Sequence, residues 1–220
     1  MTQAVYPKTL DSTLEGRGYT AIDHTSVQLL SLSVLRQPLI HTVKVDDKLN
    51  DEWLNQFCVL NSQDESNKST LKQMLSLILP RTCFILLHDN NAVVACGLGV
   101  LERGYLGIFD IVVDSRYRNL GFGEQLMLNL LNWGKENGAE SAYLQVMLNN
   151  APALRLYSKL GFCEKYRYWY RLKAWLCSFR ISPFPEQTCA IVQDRLPHKY
   201  EWISGMWCIY TAFLHVSWNS

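Results

Sequence analysis

The sequence predicts an α/β chain of the α+β kind, with a mixed central sheet and helices on both faces, and three observations carry that prediction. From Leu39 onward, segments of strand and helix period follow one another as β-α-α-β-β-β-α-β-α-β, which is not the order of a doubly wound sheet. Asp89-Asn90-Asn91 stands between two apolar runs and has the residue types a hairpin turn prefers. Ile108-Phe109-Asp110-Ile111-Val112-Val113 is almost wholly apolar, as a central strand buried on both faces would be.

Residues 10–17 suit a short helix, and Tyr19–Leu35 is rich enough in Val, Thr and Leu to be extended before Pro38. Leu39–Val45 reads as a strand. Trp53, Leu54, Phe57, Cys58 and Leu60 recur at helical spacing behind Asn50 or Asp51 as N-cap. Ser62–Ser69 is polar and loop-like; Leu71, Met74, Leu75, Ile78 and Leu79 mark a second helix that Pro80 stops. Strands follow at Thr82–Leu87, Ala92–Leu101 and Gly104–Val113. The helical period returns with Phe122, Leu126, Met127, Leu130, Leu131 and Trp133, ending near Gly138. Ala142–Met147 is a strand, Asn150–Leu160 a helix closed by Gly161, and Phe162–Tyr170 a last aromatic strand.

Bulk properties narrow the function. The formal net charge of +1 gives no general pull toward nucleic acid or an anionic membrane, and neither is an expected partner. No stretch reaches the roughly 20 apolar residues of a membrane helix; Met206–Val216 is too short, and MTQAVYPKTLDSTLEG lacks the apolar core of a signal peptide. The 7 cysteines are odd in number and scattered without a CxxC pair, which reads as reduced thiols in a cytoplasmic protein. Cys177, Cys189, His198 and Cys208 lack the closely spaced pairs of zinc ligands, so no metal is expected. Three regions are expected: an extension over 1–38, a folded domain over 39–172, and a tail over 173–220 of uncertain structure.

The chemistry points to Val113-Asp114-Ser115-Arg116-Tyr117-Arg118-Asn119-Leu120-Gly121-Phe122-Gly123-Glu124, where an apolar strand runs through a glycine loop straight into an amphipathic helix. Glycine lets backbone approach a bulky anion. The helix start adds free N–H groups and the positive end of its dipole. With Arg116 and Arg118 these make a pyrophosphate cradle. There is no GKS or GKT of a Walker loop, and Leu126 stands where a GxGxxG motif needs its third glycine. A bare GxG is more often a packing turn; the next helix changes that balance. In Asn150-Ala151-Pro152-Ala153-Leu154-Arg155-Leu156-Tyr157, Pro152 is tolerated in the first turn. Asn150 and Tyr157 fall on one face two turns apart. Each taken singly suits a plain cap or a half-buried aromatic.

Taken together, Ile108–Arg171 resembles the GNAT family, the GCN5-related N-acetyltransferases. The resemblance rests on Arg118-x-x-Gly121-x-Gly123 followed by Asn150-x-x-Ala153-x-x-Leu156-Tyr157-x-x-x-Gly161-Phe162, with the intervening strand and element order. It implies the acyl-CoA N-acyltransferase fold and acetyl-CoA as co-substrate. The pantetheine arm would lie along Ile111-Val112-Val113 like an added strand. The pyrophosphate would sit on the amides of Arg118, Asn119, Leu120, Gly121, Phe122, Gly123 and Glu124. Asn150 and Ala153 would border the pantetheine arm, and Tyr157 the thioester sulfur. A backbone N–H at Val112 or Val113 would stabilise the oxyanion. Tyr157 is the implied general acid for the departing thiolate, although a free tyrosine (about 10) is a weaker acid than a thiol (about 8.5), so hydrogen bonding to the thiolate would serve as well.

The general base stays open: Asp110 on the strand before the loop, Glu102, or a water chain, with a simply solvated carboxylate as the competing reading. A bulge in that strand would change which face Asp110 takes. His88 reads as structural. The acceptor pocket is expected from 51–80 and from Tyr166, Tyr168, Trp169 and Tyr170, whose aromatic rings suit a cation-π contact. The resulting expectation is an N-acetyltransferase acting on a primary amine of a small molecule, peptide or protein, as a monomer or homodimer. The alternatives are a non-catalytic acyl-CoA-binding module for sensing or docking, and a chain incompetent to fold.

Overall fold

In a computed structural model, the structure describes residues 2, 6–63 and 65–173. The elements are α1 (Leu10–Gly16), β1 (Thr20–Ser31), β2 (Val43–Asp46), α2 (Asp51–Leu60), α3 (Glu65–Ser76), β3 (Arg81–Asp89), β4 (Ala92–Glu102), β5 (Tyr105–Val113), α4 (Phe122–Glu136), β6 (Ser141–Met147), α5 (Ala151–Leu160) and β7 (Cys163–Leu172). They form a 7-stranded mixed sheet in the order β2-β3-β4-β5-β6-β1-β7. The pairs β2–β3, β3–β4 and β4–β5 are antiparallel, and β5–β6 is parallel. The element order expected from Leu39 onward is the one observed.

The chain divides into two units. The larger holds residues 27–146 and 150–165. Its two antiparallel turns follow from residue type: Asn90 and Asn91 take φ of 46° and 68°, and Arg103-Gly104 take 51° and 79°. These are the positive angles a two-residue hairpin with right-handed strand twist requires. α4 packs on one sheet face, where β-carbons added at Gly97 and Gly99 would meet Leu126 and Leu130. α2 takes the other face. There the buried Trp53 donates from Nε1 to Ile85 O and Gly97 O, each at 3.2 Å, and stacks on Phe57. Leu126, Met127, Leu130 and Leu131 are fully enclosed on the α4 side, each worth roughly 1.5–3 kcal/mol of apolar burial.

The smaller unit holds residues 1–26, 147–149 and from 166 on. Its polar centre is Asp11 on α1, which accepts from Arg171 Nε at 2.8 Å, Arg171 Nη2 at 2.6 Å and Trp169 Nε1 at 2.9 Å. Trp169 also stacks on His24 at 5.7 Å, and Tyr168 meets Tyr170 edge-on.

Several sequence expectations are corrected. Leu39–Val45 is a strand only from Val43, because the amides of Leu39 and Ile40 are drawn to the Gln125 side chain on α4 at 2.7 and 3.1 Å. Ser62–Ser69 is not a loop throughout: α3 starts at Glu65. Its first turns carry no apolar period, and among its described side chains Leu75 alone is buried, so periodicity was silent there. The same helix ends at Ser76 rather than near Pro80. Leu77 N and Ile78 N bond back three residues to Met74 O and Leu75 O, and Leu79 is 95% exposed, which fits the aversion of a residue before proline to helical angles. Finally, Phe109–Val113 is half-buried rather than enclosed on both faces, for a reason that lies in the site.

Candidate active site

The half-burial of the end of β5 comes from where its ladders stop. Between β5 and β6 the paired residues run from Tyr105↔Ser141 to Ile108↔Leu144, and the strands continue to Val113 and Met147 beyond the last pair. On its other side β5 stays paired to Val113↔Ala95, with a bulge: Leu98 opposes Phe109 and Cys96 opposes Val112, so Asp110 and Ile111 together face Gly97. Asp110 absorbs the extra residue at φ 53°, a conformation Asp and Asn tolerate better than most side chains.

The bulge sets the phase of the residues after it. Ile111 Cδ1 lies over Gly97 beside Leu126 and Leu130, and Val113 Cγ2 lies against Gly123, so both side chains face α4. Asp110 lies near Cys96, whose thiol is pushed well up by burial, then by the Asp110 charge and by Cys58. The Asp114 amide donates to Val94 O at 2.9 Å. Alternation along a strand then turns the Val112 amide toward β4 and leaves those of Val113 and Ile111 aimed at the gap beside β6.

Past Val113 the loop is held by its own side chains. Asp114 accepts from the Arg116 amide at 2.9 Å and pairs with Arg116 Nη2 at 2.7 Å. This guanidinium and amide hold its carboxyl below the usual range. Arg116 is thereby drawn onto Asp114 within the loop, a pairing the sequence could not show, while its side chain stays 78% exposed. Arg118 is exposed, with Nε 3.5 Å from Val113 O. Asn119 and Gly121 take φ of 61° and 88°, and a β-carbon at Gly121 would meet nothing within 4 Å. Gly121 therefore serves a left-handed turn whose outer side is open, as the approach of a bulky anion needs. Leu120 is 65% exposed beside it, while Phe122 is buried against Tyr117 and anchors the first turn of α4. A β-carbon added at Gly123 would stand 3.4 Å from Leu156 of α5. The Glu124 carboxylate, one turn on from Gly121, pairs with Arg36 at 2.9 Å and with Lys159.

On α5, Asn150 is the N-cap, its Oδ1 accepting from the Ala153 amide at 3.2 Å, which leaves its Nδ2 side for other work. Tyr157 is 8% exposed within the core cluster, edge-on to Phe162 at 5.9 Å. Burial pushes its hydroxyl up to about 12. On the α2 face, Tyr143 of β6 lies edge-on to Phe109 at 6.1 Å, its hydroxyl 2.6 Å from where a Gly107 β-carbon would be.

The residues the sequence singled out as Ile111–Val113, Arg118–Glu124, Asn150, Ala153 and Tyr157 thus fall in one unit, at the end of β5, in the loop into α4 and its first turn, and along the first two turns of α5. Glu102 sits at the far end of β4, paired to Tyr105 across the hairpin and away from this gap. Tyr166, Tyr168, Trp169 and Tyr170 belong to the other unit. Cys177, Cys189, His198 and Cys208 lie outside the described residues. Sequence reading missed Gly97, though a glycine inside a strand is itself a bulge signal, here one of two in β4. It also missed Arg36 and Lys159, for which no local pattern exists.

Comparison with known proteins identifies the family and the fold. Residues 47–162 match the profile described as the acetyltransferase (GNAT) family. The uncharacterized N-acetyltransferase YobR of Bacillus subtilis is 30% identical over 171 residues, covering 76% of this chain and 69% of that protein. The N-alpha-acetyltransferase MAK3 of Arabidopsis thaliana is 29% identical over 129 residues, covering 56% of this chain and 67% of that one. Among solved structures, a tandem GNAT protein from the clavulanic acid biosynthesis pathway superposes with a TM-score of 0.57 at 14% identity, covering 77% of this chain and 60% of its own. That likeness speaks for the fold alone.

Proposed function

Because this chain belongs to the GNAT acetyltransferase family, we propose that it transfers the acetyl group of acetyl-CoA to a primary amine of a small molecule, peptide or protein by direct attack. The observation that carries this reading is the gap where β5 and β6 part after Ile108↔Leu144, ending at the open left-handed turn of Gly121. A strand-like pantetheine arm fits the first, and a diphosphate fits the second. Nothing stands where a Gly121 β-carbon would be, so the residues present suit the coenzyme.

The pantetheine arm pairs with the Ile111 and Val113 edge, the diphosphate lies on the amides from Arg118 to Glu124, and Asn150 and Ala153 border the arm. The Val113 amide supports the oxyanion in preference to Val112, since the ladder turns the Val112 amide toward β4. The neutral amine attacks the thioester carbonyl; the C–N bond forms, the C–S bond breaks, and the sulfur leaves as thiolate. Asp110, directly or through water, takes the proton the amine sheds.

Tyr157 supplies a hydrogen bond to the leaving sulfur rather than a fully transferred proton. With its hydroxyl at about 12 against an ordinary thiol near 8.5, transfer would be roughly 5 kcal/mol uphill. The low net charge and scattered thiols support a cytoplasmic enzyme, a monomer or homodimer, with no nucleic-acid or membrane partner. No helix among the described residues is long and apolar enough to cross a membrane. Residues 39–172 are proposed as the main body of the acetyltransferase domain, to which the segment before it adds β1 and the stretch bonded to α4, with 173–220 a tail after it.

The test is thermal melting with acetyl-CoA, followed by an amine panel read out as CoA release. Acetyl-CoA at about 100 times its Kd should raise Tm by roughly 5–10 °C. No shift at millimolar acetyl-CoA would end the reading; a shift with no turnover on any amine would favour a binding module.

A further inference from the structure

The polar stripe of α4 is not a solvated face. Gln125 accepts from the Leu39 and Ile40 amides at 2.7 and 3.1 Å, and Asn129 donates to Ile40 O at 2.9 Å. Asn132 donates to Arg36 O at 3.3 Å, and Lys135 to Ser33 O at 2.9 Å. Spaced three and four apart, these residues form one line along the helix and fasten residues 33–40 along it as a strap. The strap delivers Arg36 to Glu124 in the first turn of α4. Lys159 reaches the same carboxylate from α5.

Neutralisation of Glu124 does not require this. An acidic side chain in the first turn of a helix is already favoured by the dipole, and one cation would balance it. Two are present, so the group of three carries a net positive charge. Glu124 is only 13% exposed, whereas Arg36 and Lys159 are 56% and 62% exposed. Glu124 engages Nη2 of Arg36 and the ammonium of Lys159, so a guanidinium with five N–H donors and an ammonium with three have donors to spare. The group lies three residues past Gly121, hence about one helical turn of 5.4 Å from the open cradle.

We propose that Arg36 and Lys159 receive the 3′-phosphate of coenzyme A and make the site selective for the phosphorylated coenzyme. The inference rests on the reading of the Arg118–Gly123 loop as the diphosphate cradle. A single ribose separates the 3′-phosphate from the diphosphate, and the cation pair stands about one helical turn from the cradle. Glu124 acts as the positioning residue: it draws two cations from distant elements to one point and keeps them from the diphosphate.

The experiment is calorimetric titration of the full chain with CoA and with 3′-dephospho-CoA, for wild type, Arg36→Ala, Lys159→Ala and the double variant. Wild type should prefer CoA by about tenfold or more. Each single variant should lose part of that preference and the double variant nearly all of it, with 3′-dephospho-CoA affinity unchanged throughout. A purely structural role would weaken both ligands in parallel; that result, or an unaltered ratio, overturns the proposal. If the double variant does not fold, the two single variants decide by the same ratio. Failure of wild type to bind either ligand would instead sink the loop reading, and this proposal with it.

Discussion

Gly97 and Ile111 meet across the β4–β5 bulge so closely that a β-carbon on Gly97 would stand 2.7 Å from Ile111 Cδ1 and 3.1 Å from Leu130 Cδ1. The bulge therefore depends on a missing side chain in the neighbouring strand. Gly97→Ala should cost about 1–3 kcal/mol by overpacking and weaken acetyl-CoA binding, because the displaced Ile111 carries part of the edge the pantetheine arm pairs with. Adding Ile111→Val removes the clashing methyl. The double variant should recover much of the loss in denaturant melts, giving a coupling energy the single variants lack. Additive losses would mean that the contact does not govern the bulge.

Tyr157→Phe should lower the acetyl-transfer rate roughly 10- to 100-fold, the worth of a hydrogen bond to a developing charge, with acetyl-CoA affinity nearly intact. Since burial holds the hydroxyl at about 12, Tyr157 stays protonated through neutral and moderately alkaline pH. The wild-type rate should then show no alkaline fall between about pH 7 and 10 that disappears in the variant. Equal turnover by the two proteins would remove Tyr157 from the mechanism.

Asp110 carries two burdens that substitutions can separate. Its φ of 53° is tolerated by Asn and free to Gly, but strains Ala by about 1–2 kcal/mol. Asp110→Asn should keep the fold and the coenzyme affinity while losing the low-pH limb of the rate profile that a carboxylate base produces. Asp110→Ala should melt earlier than Asp110→Asn. Full activity in the Asn variant at all pH values would leave the proton to water.

The order of strands and helices, the Asn90-Asn91 hairpin, the α2 and α5 caps and the glycine loop were legible because each is written within a few neighbouring residues: Asn50 before Asp51, Asn90-Asn91, Gly121, Gly161. What was not legible depends on partners far along the chain. Leu39–Ile40 looks like strand until Gln125 claims its amides. Arg116 looks unengaged until Asp114 pairs with it. Ile108–Val113 looks fully buried because apolar composition cannot reveal that β6 leaves its side after Leu144. The site inherits the same division, since its glycines can be read locally while the bulge, Arg36 and Lys159 can be seen only once the strands and helices are set side by side.

The smaller unit offers a pH test independent of the chemistry. The Arg171 side chain is 7% exposed and pairs with Asp11 through Nη2 at 2.6 Å and Nε at 2.8 Å. Arg171 holds the Asp11 carboxyl below its ordinary value, with Trp169 adding to it. A carboxylate whose folded pKa is depressed contributes stability that is fully present above the unfolded value near 3.9, and that is lost as pH falls through the lower folded value. Asp11→Asn should thus cost roughly 1.5–3 kcal/mol at pH 7 and progressively less below about pH 4, the two proteins converging in acid. Chemical denaturation of both across pH 2–7 measures this. A gap that stays constant down to pH 2 would show that Asp11 acts by packing rather than by its charge on Arg171.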